Sequence, residues 1–122
     1  MNLKTLVVGA SPNPARYSYM ATNRLLHQGH EVILTGIKKG EIAGLPILNI
    51  REKPLLYSIH TITLYINPWN QEEYIDYFIS LEPQRIIFNP GTENHDFAKR
   101  ASDAGIDVEV ACTLVLLSAG TY

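Results

Sequence analysis

Short apolar runs alternate with helix-length amphipathic segments along nearly the whole chain, and this alternation restricts the fold more than any other feature. Strand–helix alternation is typical of βαβ units and a mainly parallel sheet, and right-handed crossovers then place helices on both faces. The sequence therefore predicts an α/β, three-layer Rossmann-like fold with a mostly parallel sheet of five or six strands and the first strand in its middle. We predict strands at about 4–9, 31–36, 46–49, 60–66, 85–89 and 107–111, and helices at about 18–28, 51–58, 70–81, 93–104 and 113–118.

The size and composition of the chain indicate one domain spanning residues 1–122. The chain has 122 residues, of which 46% are hydrophobic, and this length suffices for a substantial core. It contains one cysteine, which argues against a disulfide framework, and no apolar run near the roughly 20 residues that a membrane span requires. No leader segment is recognisable either. We therefore expect a cytoplasmic protein that does not enter a membrane.

Charge is unevenly distributed, although the formal net charge is only −2. Residues 1–53 hold seven Lys/Arg against three Asp/Glu, whereas residues 54–122 hold three against nine. The absence of a concentrated basic face disfavours nucleic acid as a partner, while the basic excess of the first part suits one small polyanion. A chance distribution of solvated surface charges is the alternative, and both interpretations stay open.

The segment from Gly9 to Ser18 joins the first predicted strand to the first predicted helix through a turn that suits phosphate. Glycine reaches positive φ freely and allows a ligand to approach the backbone, so Gly9 fits the tight turn. We expect Ser18 to cap the helix, whose unpaired first amides and dipole favour an anion. This segment therefore predicts a nucleotide-type ligand.

Side chains in this opening loop supply donors that its backbone lacks. Pro12 and Pro14 have no N–H, whereas Ser11, Asn13 and Arg16 each carry a side-chain donor. The complete G-x-G-x-x-G pattern is absent, so a strand-to-helix turn without any ligand stays open as the alternative.

A lysine pair, Lys38 and Lys39, follows the second predicted strand. An NAD-binding fold usually has an acidic side chain there, which holds the ribose hydroxyls. A lysine favours instead a ligand with an additional phosphate on its adenosine ribose, such as NADP or coenzyme A. The alternative is a solvated turn, which we prefer for Lys39.

The loop after the predicted strand at 60–66 contains Trp69, the only tryptophan of the chain. Its indole either lies beside the ligand, where it stacks on an adenine or covers a pantetheine arm, or packs in the core. We expect Asn70, or Asn67 before Pro68 at the first helical position, to be a helix cap.

The loop after the predicted strand at 85–89 contains a further glycine turn. Gly91 permits close approach of a ligand to the backbone, and Asn89 or Thr92 can donate to that ligand. Thr92 suits equally well the N-cap of the helix predicted to begin near Glu93.

No catalytic or metal-binding set is recognisable in the sequence. His27, His30, His60 and His95 are scattered without the spacing of metal ligands. The opening loop lacks the second glycine of a nucleophile elbow. We interpret Cys112 as a small buried hydrophobic residue and expect no catalytic residues and no metal site.

Four stretches of the chain carry a family resemblance. They are a Gly-Ala-Ser motif followed by prolines, an arginine and a serine at 7–18, a helix–Gly–strand joint at 25–32, an Ile-x-Gly-x-Pro segment at 41–47, and an Ala-Gly-Ile helix exit within 98–108. Cys112 lies near the family's closing cysteine segment. The chain is similar, nearly from end to end, to the small CoA-binding-domain family, which is related to the amino-terminal Rossmann-like domain of the succinyl-CoA synthetase α subunit.

The resemblance implies coenzyme A at the carboxyl edge of the sheet, with the opening loop at its phosphates, a lysine toward its nucleotide and two later turns along its arm. The synthetase's phosphorylated histidine lies in a further domain that this chain does not contain, so ligase activity is not implied. Carried over by position, the implied cofactor-binding residues are Gly9, Ala10, Ser11, Asn13, Arg16, Lys38, Asn67, Pro68, Asn89 and Gly91.

Our leading hypothesis is noncatalytic binding of coenzyme A or an acyl-CoA, as a sensor or regulatory partner of a larger enzyme. The alternatives are an NAD(P)-binding oxidoreductase or regulator fragment, with NADP or NAD as cofactor, and a ligand-free interaction domain. The apolar segment 113–117 suggests a homodimer, because a short terminal helix seldom buries so much apolar surface alone.

Overall fold

Residues 2–122, which the computed structural model describes, form seven strands and five α-helices around one sheet. Single 3-10 turns at Ile50–Glu52 and Glu72–Tyr74 complete the secondary structure of this part of the chain. The strands are β1 (Thr5–Val8), β2 (Val32–Gly36), β3 (Glu41–Ile42), β4 (Leu45–Asn49), β5 (Thr61–Leu64), β6 (Arg85–Phe88) and β7 (Asp107–Val110), and the helices are α1 (Tyr17–His27), α2 (Pro68–Gln71), α3 (Ile75–Ser80), α4 (His95–Asp103) and α5 (Thr113–Ala119).

The sheet has the strand order β3-β4-β2-β1-β5-β6-β7, with β1 in its middle. Every pair is parallel except β3 with β4. All four residues of β1 are buried, which explains why this strand reads as a continuous apolar run rather than an alternating one. The predicted fold class and the central first strand are therefore confirmed.

The sheet contains one strand more than predicted. The additional strand, β3, is a two-residue partner of β4 that a tight turn at Ala43 and Gly44 joins to it. Both turn residues have positive φ, 52° and 83°, as a two-residue hairpin turn of this hand requires. Two residues are too few to produce a recognisable alternation of apolar and polar positions, so the hairpin was missed.

Helices cover both faces of the sheet, as the three-layer prediction requires. On one face, α3 and α4 contribute Phe78 and Phe97 to the larger core cluster, whose rings stack with centroids 5.8 Å apart. On the other face, α1 and α5 contribute Leu25 and Leu117 to the second cluster. Successive residues of β1 alternate between the two clusters, so the central strand joins both layers of the core.

Two predicted helices differ from the structure. The segment predicted as a helix at 51–58 has only a 3-10 turn that ends at Lys53, whose φ of 46° is left-handed. Proline at position 54 disfavours helical geometry in the residue before it, which explains the early end. The helix predicted at 70–81 is divided into α2, a 3-10 turn and α3.

The cap that we expected for α1 is wrong, and so is the alternative that made Thr92 the cap of α4. Arg16, not Ser18, occupies the N-cap position of α1, and its side chain makes no capping hydrogen bond. Asn94, not Thr92, caps α4, because its Oδ1 accepts from the N–H of Phe97 over 3.1 Å. Asn67, in contrast, caps α2 as predicted by accepting from the N–H of Asn70 over 3.0 Å.

No helix within residues 2–122 combines the length and the apolar character that crossing a membrane requires.

Candidate functional site

A crevice of about 830 Å³ lies at the carboxyl edge of the sheet, above the central strands. The chain winds from β1 to β2 and β4 on one side and then returns to β5 on the other. In open α/β sheets, ligands bind where the winding reverses in this way. Of the ten cofactor-binding residues that we predicted, the structure brings eight together in the lining of this crevice, namely Gly9, Ala10, Ser11, Asn13, Arg16, Lys38, Asn67 and Gly91.

Gly9 forms the turn at the end of β1, and two observations require a glycine there. Its φ is +91°, and an added Cβ would lie 2.7 Å from Cγ2 of Ile66 and 3.0 Å from the carbonyl carbon of Tyr65. The N–H groups of Gly9 and Ala10 both donate to the carbonyl of Thr35, over 2.9 and 3.0 Å. The turn is thus held against both neighbouring strands.

Two side chains of the opening loop accept hydrogen bonds from the loop's own backbone amides. Oγ of Ser11 accepts from the N–H of Asn13 over 3.2 Å, and Oδ1 of Asn13 accepts from the N–H of Ala15 over 3.0 Å. These bonds use acceptor atoms only. The hydroxyl hydrogen of Ser11 and the Nδ2 group of Asn13 have no acceptor elsewhere in residues 2–122, so both can donate to a ligand in the crevice.

The N-terminus of α1 opens into the crevice. α1 has 11 residues, and Arg16, Tyr17 and Ser18 at its start all line the crevice. The N–H groups of Tyr17 and Ser18 have no acceptor within the described residues, which leaves two donors at the positive end of the helix dipole. Arg16 is exposed and forms no ion pair within this part of the chain.

The loop after β2 lies against the opening loop and carries Lys38 into the crevice. A Cβ on Gly36 would lie 2.8 Å from the carbonyl oxygen of Ala10, so these two backbones are in direct contact. Gly40 packs in the same way on Pro12, whose Cβ would be 3.1 Å from an added Cβ. Lys38 is exposed and has no carboxylate partner among residues 2–122.

A further wall of the crevice comes from the turn after β4, from α2 and from the 3-10 turn that follows α2. It consists of Ile50, Arg51, Asn70, Glu73 and Tyr74. Burial and then the neighbouring Glu73 carboxylate raise the pKa of Tyr74, whereas the Arg51 guanidinium lowers it. The sequence analysis missed Arg51 because it predicted a helix at 51–58, where the structure has only a 3-10 turn.

The loops after β5 and β6 form the remaining side of the crevice with uncharged residues, including Tyr65, Ile66, Pro90 and Thr92. Burial raises the pKa of Tyr65 to about 12, so this phenol stays neutral.

Gln71, which is fully buried, braces these two loops. Its Nε2 donates to the carbonyls of Ile66 and Thr92, over 2.9 and 2.7 Å, and its Oε1 accepts from Asn94. Sequence reasoning missed this residue, because nothing near Gln71 in the sequence shows that its side chain is buried.

Pro68 and Asn89, the other two predicted residues, do not line the crevice. Pro68 is half-buried at the first position of α2. Asn89 is 3% exposed, and its amide bonds to Thr63, to the carbonyl of Leu64 and to the N–H of Thr113. Its side chain therefore has no donor or acceptor atom left without a protein partner in the direction of a ligand.

Two further predicted features have less contact with the crevice than expected. Gly91 lines the crevice, but its N–H donates to Oε1 of Glu93 over 2.7 Å and is not available to a ligand in this arrangement. Trp69 is 90% exposed, so the core-packing interpretation is wrong, and it does not line the crevice either.

The described residues bring no metal-binding cluster of His, Cys, Asp and Glu together. His27 and His95 are exposed, whereas His30 and His60 lie at the opposite, amino edge of the sheet, next to the starts of β2 and β5. Cys112 is half-buried before α5, so it is less buried than we predicted.

Comparison with known proteins identifies similar chains. A family model described as the CoA binding domain matches residues 4–118. A solved structure described as an uncharacterized protein shares 49% sequence identity and a TM-score of 0.96, covering 100% of this chain and 99% of that one. A hypothetical protein from Pyrococcus horikoshii OT3 shares 26% identity and a TM-score of 0.85, with coverages of 96% and 82%. A conserved hypothetical protein from Pyrococcus furiosus shares 26% identity and a TM-score of 0.74, with coverages of 87% and 90%. No curated protein matches the chain.

Proposed function

The chain belongs to the CoA binding domain family, and on this premise we propose that its crevice binds coenzyme A or an acyl-CoA without catalysing a reaction. The observation that carries the proposal is the environment of the α1 N-terminus. Arg16 and the N–H groups of Tyr17 and Ser18, which have no acceptor among residues 2–122, lie together in the crevice lining. A diphosphate placed there gains charge-assisted hydrogen bonds and the favourable end of the helix dipole.

The size and the charge distribution of the crevice support the same ligand. Its volume of about 830 Å³ falls within the range, roughly 300–1,000 Å³, that is typical of small-molecule sites. Among the described lining residues, the cations are Arg16, Lys38 and Arg51, and the one carboxylate is Glu73. A polyanionic nucleotide with a neutral arm suits such a site, because the loops after β5 and β6 contribute uncharged residues.

We propose that the chain acts as a sensor or regulatory partner of a larger enzyme, in the cytoplasm and as one domain. The described lining residues include no histidine and no cysteine, and Ser11 and Ser18 therefore have no histidine in the lining to act as their general base. We expect neither nucleic acid nor a membrane as a partner.

We also propose a homodimer, which light scattering at micromolar concentration tests. Leu117 is buried in the chain's own core, so the surface that the terminal segment offers to a second copy is centred on Val115, which is 63% exposed. A monomeric mass would remove this proposal and leave the proposal of coenzyme A binding intact.

Titration calorimetry against coenzyme A, NADP, NAD and ATP tests the proposed ligand. We expect coenzyme A to bind most tightly. The absence of heat with coenzyme A at millimolar concentration contradicts the proposal, and tighter binding of NADP favours the NAD(P)-dependent alternative. No binding of any of the four ligands favours the ligand-free interaction domain.

A further inference from the structure

The outer edge of β7 is an unpaired end of the sheet. β7 is the last strand in the sheet order and has β6 on one side only. The N–H groups of Asp107 and Ala111 donate to the carbonyls just before and at the end of β6, over 3.0 and 3.2 Å. Because successive N–H groups of a strand point to opposite sides, those of Val108, Val110 and Cys112 point away from β6. This edge therefore offers backbone donors that have no acceptor among residues 2–122.

The side chains along the second half of this edge are uncharged. Val110 is 68% exposed, although it belongs to a strand. The carboxylate of Glu109 is turned toward Arg85, since its Oε2 is buried and lies 3.8 Å from the Arg85 Nη1. From Val110 to Val115 the chain contains no charged residue. Free backbone groups beside an exposed apolar side chain are a template for pairing with another strand, and the absence of charge favours an uncharged partner.

We propose that β7 pairs antiparallel with β7 of a second copy of this chain, with Val110 opposite Val110 on a two-fold axis, an inference that rests on the proposed homodimer. A two-fold interface joins one surface to itself, so the edge must be complementary to itself. In this register the two Val110 residues exchange N–H···O=C hydrogen bonds, and the N–H of Cys112 donates to the carbonyl of Val108 in the second copy. The pairing includes Cys112 because its backbone is extended, with φ −94° and ψ 117°.

The two acidic residues of β7 exclude the other two-fold registers of this strand. An axis at Val108 places Asp107 opposite Glu109 of the second copy, and an axis at either acidic residue places two identical carboxylates opposite each other. Like charges directly opposite destabilise an antiparallel pair. An axis at Val110 instead places Glu109 opposite Ala111 and leaves Asp107 beyond the paired residues. The charges thus select the register with the two exposed valines in contact.

A second copy also fits this edge better through β7 than through β3, the strand at the opposite edge. β3 has only two residues, and pairing of β7 with β3 of another copy would be heterologous and would continue into open chains. Pairing of β7 with β7 closes as a dimer. None of residues 107–112 lines the crevice, so we expect the dimer to form with and without coenzyme A.

Disulfide crosslinking tests the register in a Cys112→Ser background, which removes the native thiol. Hydrogen-bonded partners in an antiparallel pair have Cα atoms about 5.5 Å apart, a distance that a disulfide spans. We therefore expect Val110→Cys to convert most of the chain to a linked dimer in oxidised glutathione, as measured by non-reducing electrophoresis. Tyr57→Cys is the matched control, because Tyr57 is 67% exposed and lies before β5, and it should stay unlinked.

Two further variants test the same register by other measurements. In the chain that keeps Cys112, Val108→Cys should form a disulfide with Cys112 of the second copy, which mass spectrometry of the linked peptides identifies. Val110→Lys places two ammonium groups opposite each other on the axis, so light scattering should give the monomeric mass. Titration with coenzyme A and a thermal melt show that this variant is folded, and we expect both to match the wild type because Val110 is exposed and lies outside the crevice lining.

The outcomes separate this inference from the proposed function. A wild-type chain of monomeric mass overturns the inference together with the homodimer and leaves the proposal of coenzyme A binding intact. A dimeric chain in which Val115→Cys links and Val110→Cys does not places the contact at α5, which overturns the inference and leaves the homodimer standing. A Val110→Lys chain that remains dimeric overturns the inference in the same way.

Discussion

The backbone N–H of Thr113 donates to Oδ1 of Asn89 over 2.8 Å, which ties the start of α5 to the end of β6. The Nδ2 group of the same side chain donates to Thr63 Oγ1 over 2.7 Å and to the carbonyl of Leu64 over 2.8 Å. Asn89 therefore joins three elements beneath the crevice. We interpret it as a residue that stabilises the fold and supports the loop carrying Gly91 and Thr92.

Asn89→Ala should lower the free energy of unfolding by about 2–3 kcal/mol, because it leaves a buried N–H and a buried carbonyl without partners. Chemical denaturation measures the change. Asn67→Ala is the control, since it removes only the cap of a four-residue helix and should cost about 1 kcal/mol. If Asn89→Ala leaves stability unchanged but abolishes coenzyme A binding, Asn89 contacts the ligand and does not mainly stabilise the fold.

Gly9→Val should destabilise the protein more than Gly29→Val. Both glycines have positive φ, +91° and +87°, so both variants carry backbone strain of about 1–3 kcal/mol. A Cβ at Gly29 meets nothing within 4 Å, whereas at Gly9 it meets Ile66 and the Tyr65 backbone, which adds about 1–3 kcal/mol. Thermal and chemical unfolding give both values. Equal destabilisation of the two variants would show that the close approach to β5 contributes nothing.

Arg16→Ala should weaken coenzyme A binding by about 1–3 kcal/mol, the size of a lost charge-assisted hydrogen bond, while stability barely changes. Arg16 is exposed and makes no side-chain cap, so the fold does not depend on it. Calorimetry and a thermal melt measure the two quantities, with the nearly silent Lys39→Ala as control. A lower melting temperature with normal binding of coenzyme A would show that Arg16 stabilises the fold and does not bind the ligand.

Glu73→Gln should strengthen coenzyme A binding by up to about 1 kcal/mol, because it removes the carboxylate from the lining of the crevice in which we propose that a polyanion binds. Glu52→Gln changes the same charge on an exposed residue that does not line the crevice and is the matched control. The difference should shrink in high salt. Weaker binding in Glu73→Gln would indicate that this carboxylate accepts a hydrogen bond from the ligand.

Stability should decrease as the pH falls below about 6.5, the ordinary pKa of histidine. Burial, with the nearby Arg85 charge, lowers the pKa of both His30 and His60. Their folded pKa values lie below the unfolded ones, so the unfolded chain binds more protons, and stability is lost as the pH falls toward the folded values.

Nδ1 of His30 also accepts from the N–H of Leu3 over 2.9 Å, a bond that protonation at Nδ1 breaks. Urea denaturation at several pH values between about 7 and 5, a range that includes the ordinary pKa of histidine, measures the slope of the free energy of unfolding against pH.

His30→Gln separates this effect from general acid denaturation. Glutamine can accept the same hydrogen bond through its amide oxygen but does not titrate, so the slope should become shallower in this variant. A His27→Gln chain is the control, because His27 is exposed and should leave the slope unchanged. An identical slope in His30→Gln would exclude His30 as a source of the pH dependence.

Local patterns were sufficient for much of the fold. The strands and the central position of β1 follow from short apolar runs, since a strand buried on both faces must be apolar throughout. The turn at Gly9 and the approximate start of α1, at Tyr17, could also be predicted, because residues nearby in the sequence determine both. Eight of ten predicted site residues line the crevice for this reason, since loops that follow parallel strands meet at one edge.

Arg51, Gln71 and Asn89 show where local patterns fail. Arg51 enters the crevice because Pro54 ends a turn early and Ile50 is held in a core built from distant strands. Gln71 is buried because two loops more than twenty positions apart converge on its amide, and Asn89 faces inward because α5 returns beneath it. Periodicity and turn residues act over a few positions and so determine strands, helices and loops from the sequence, whereas the partner of a polar side chain depends on segments that only tertiary packing brings within hydrogen-bond distance.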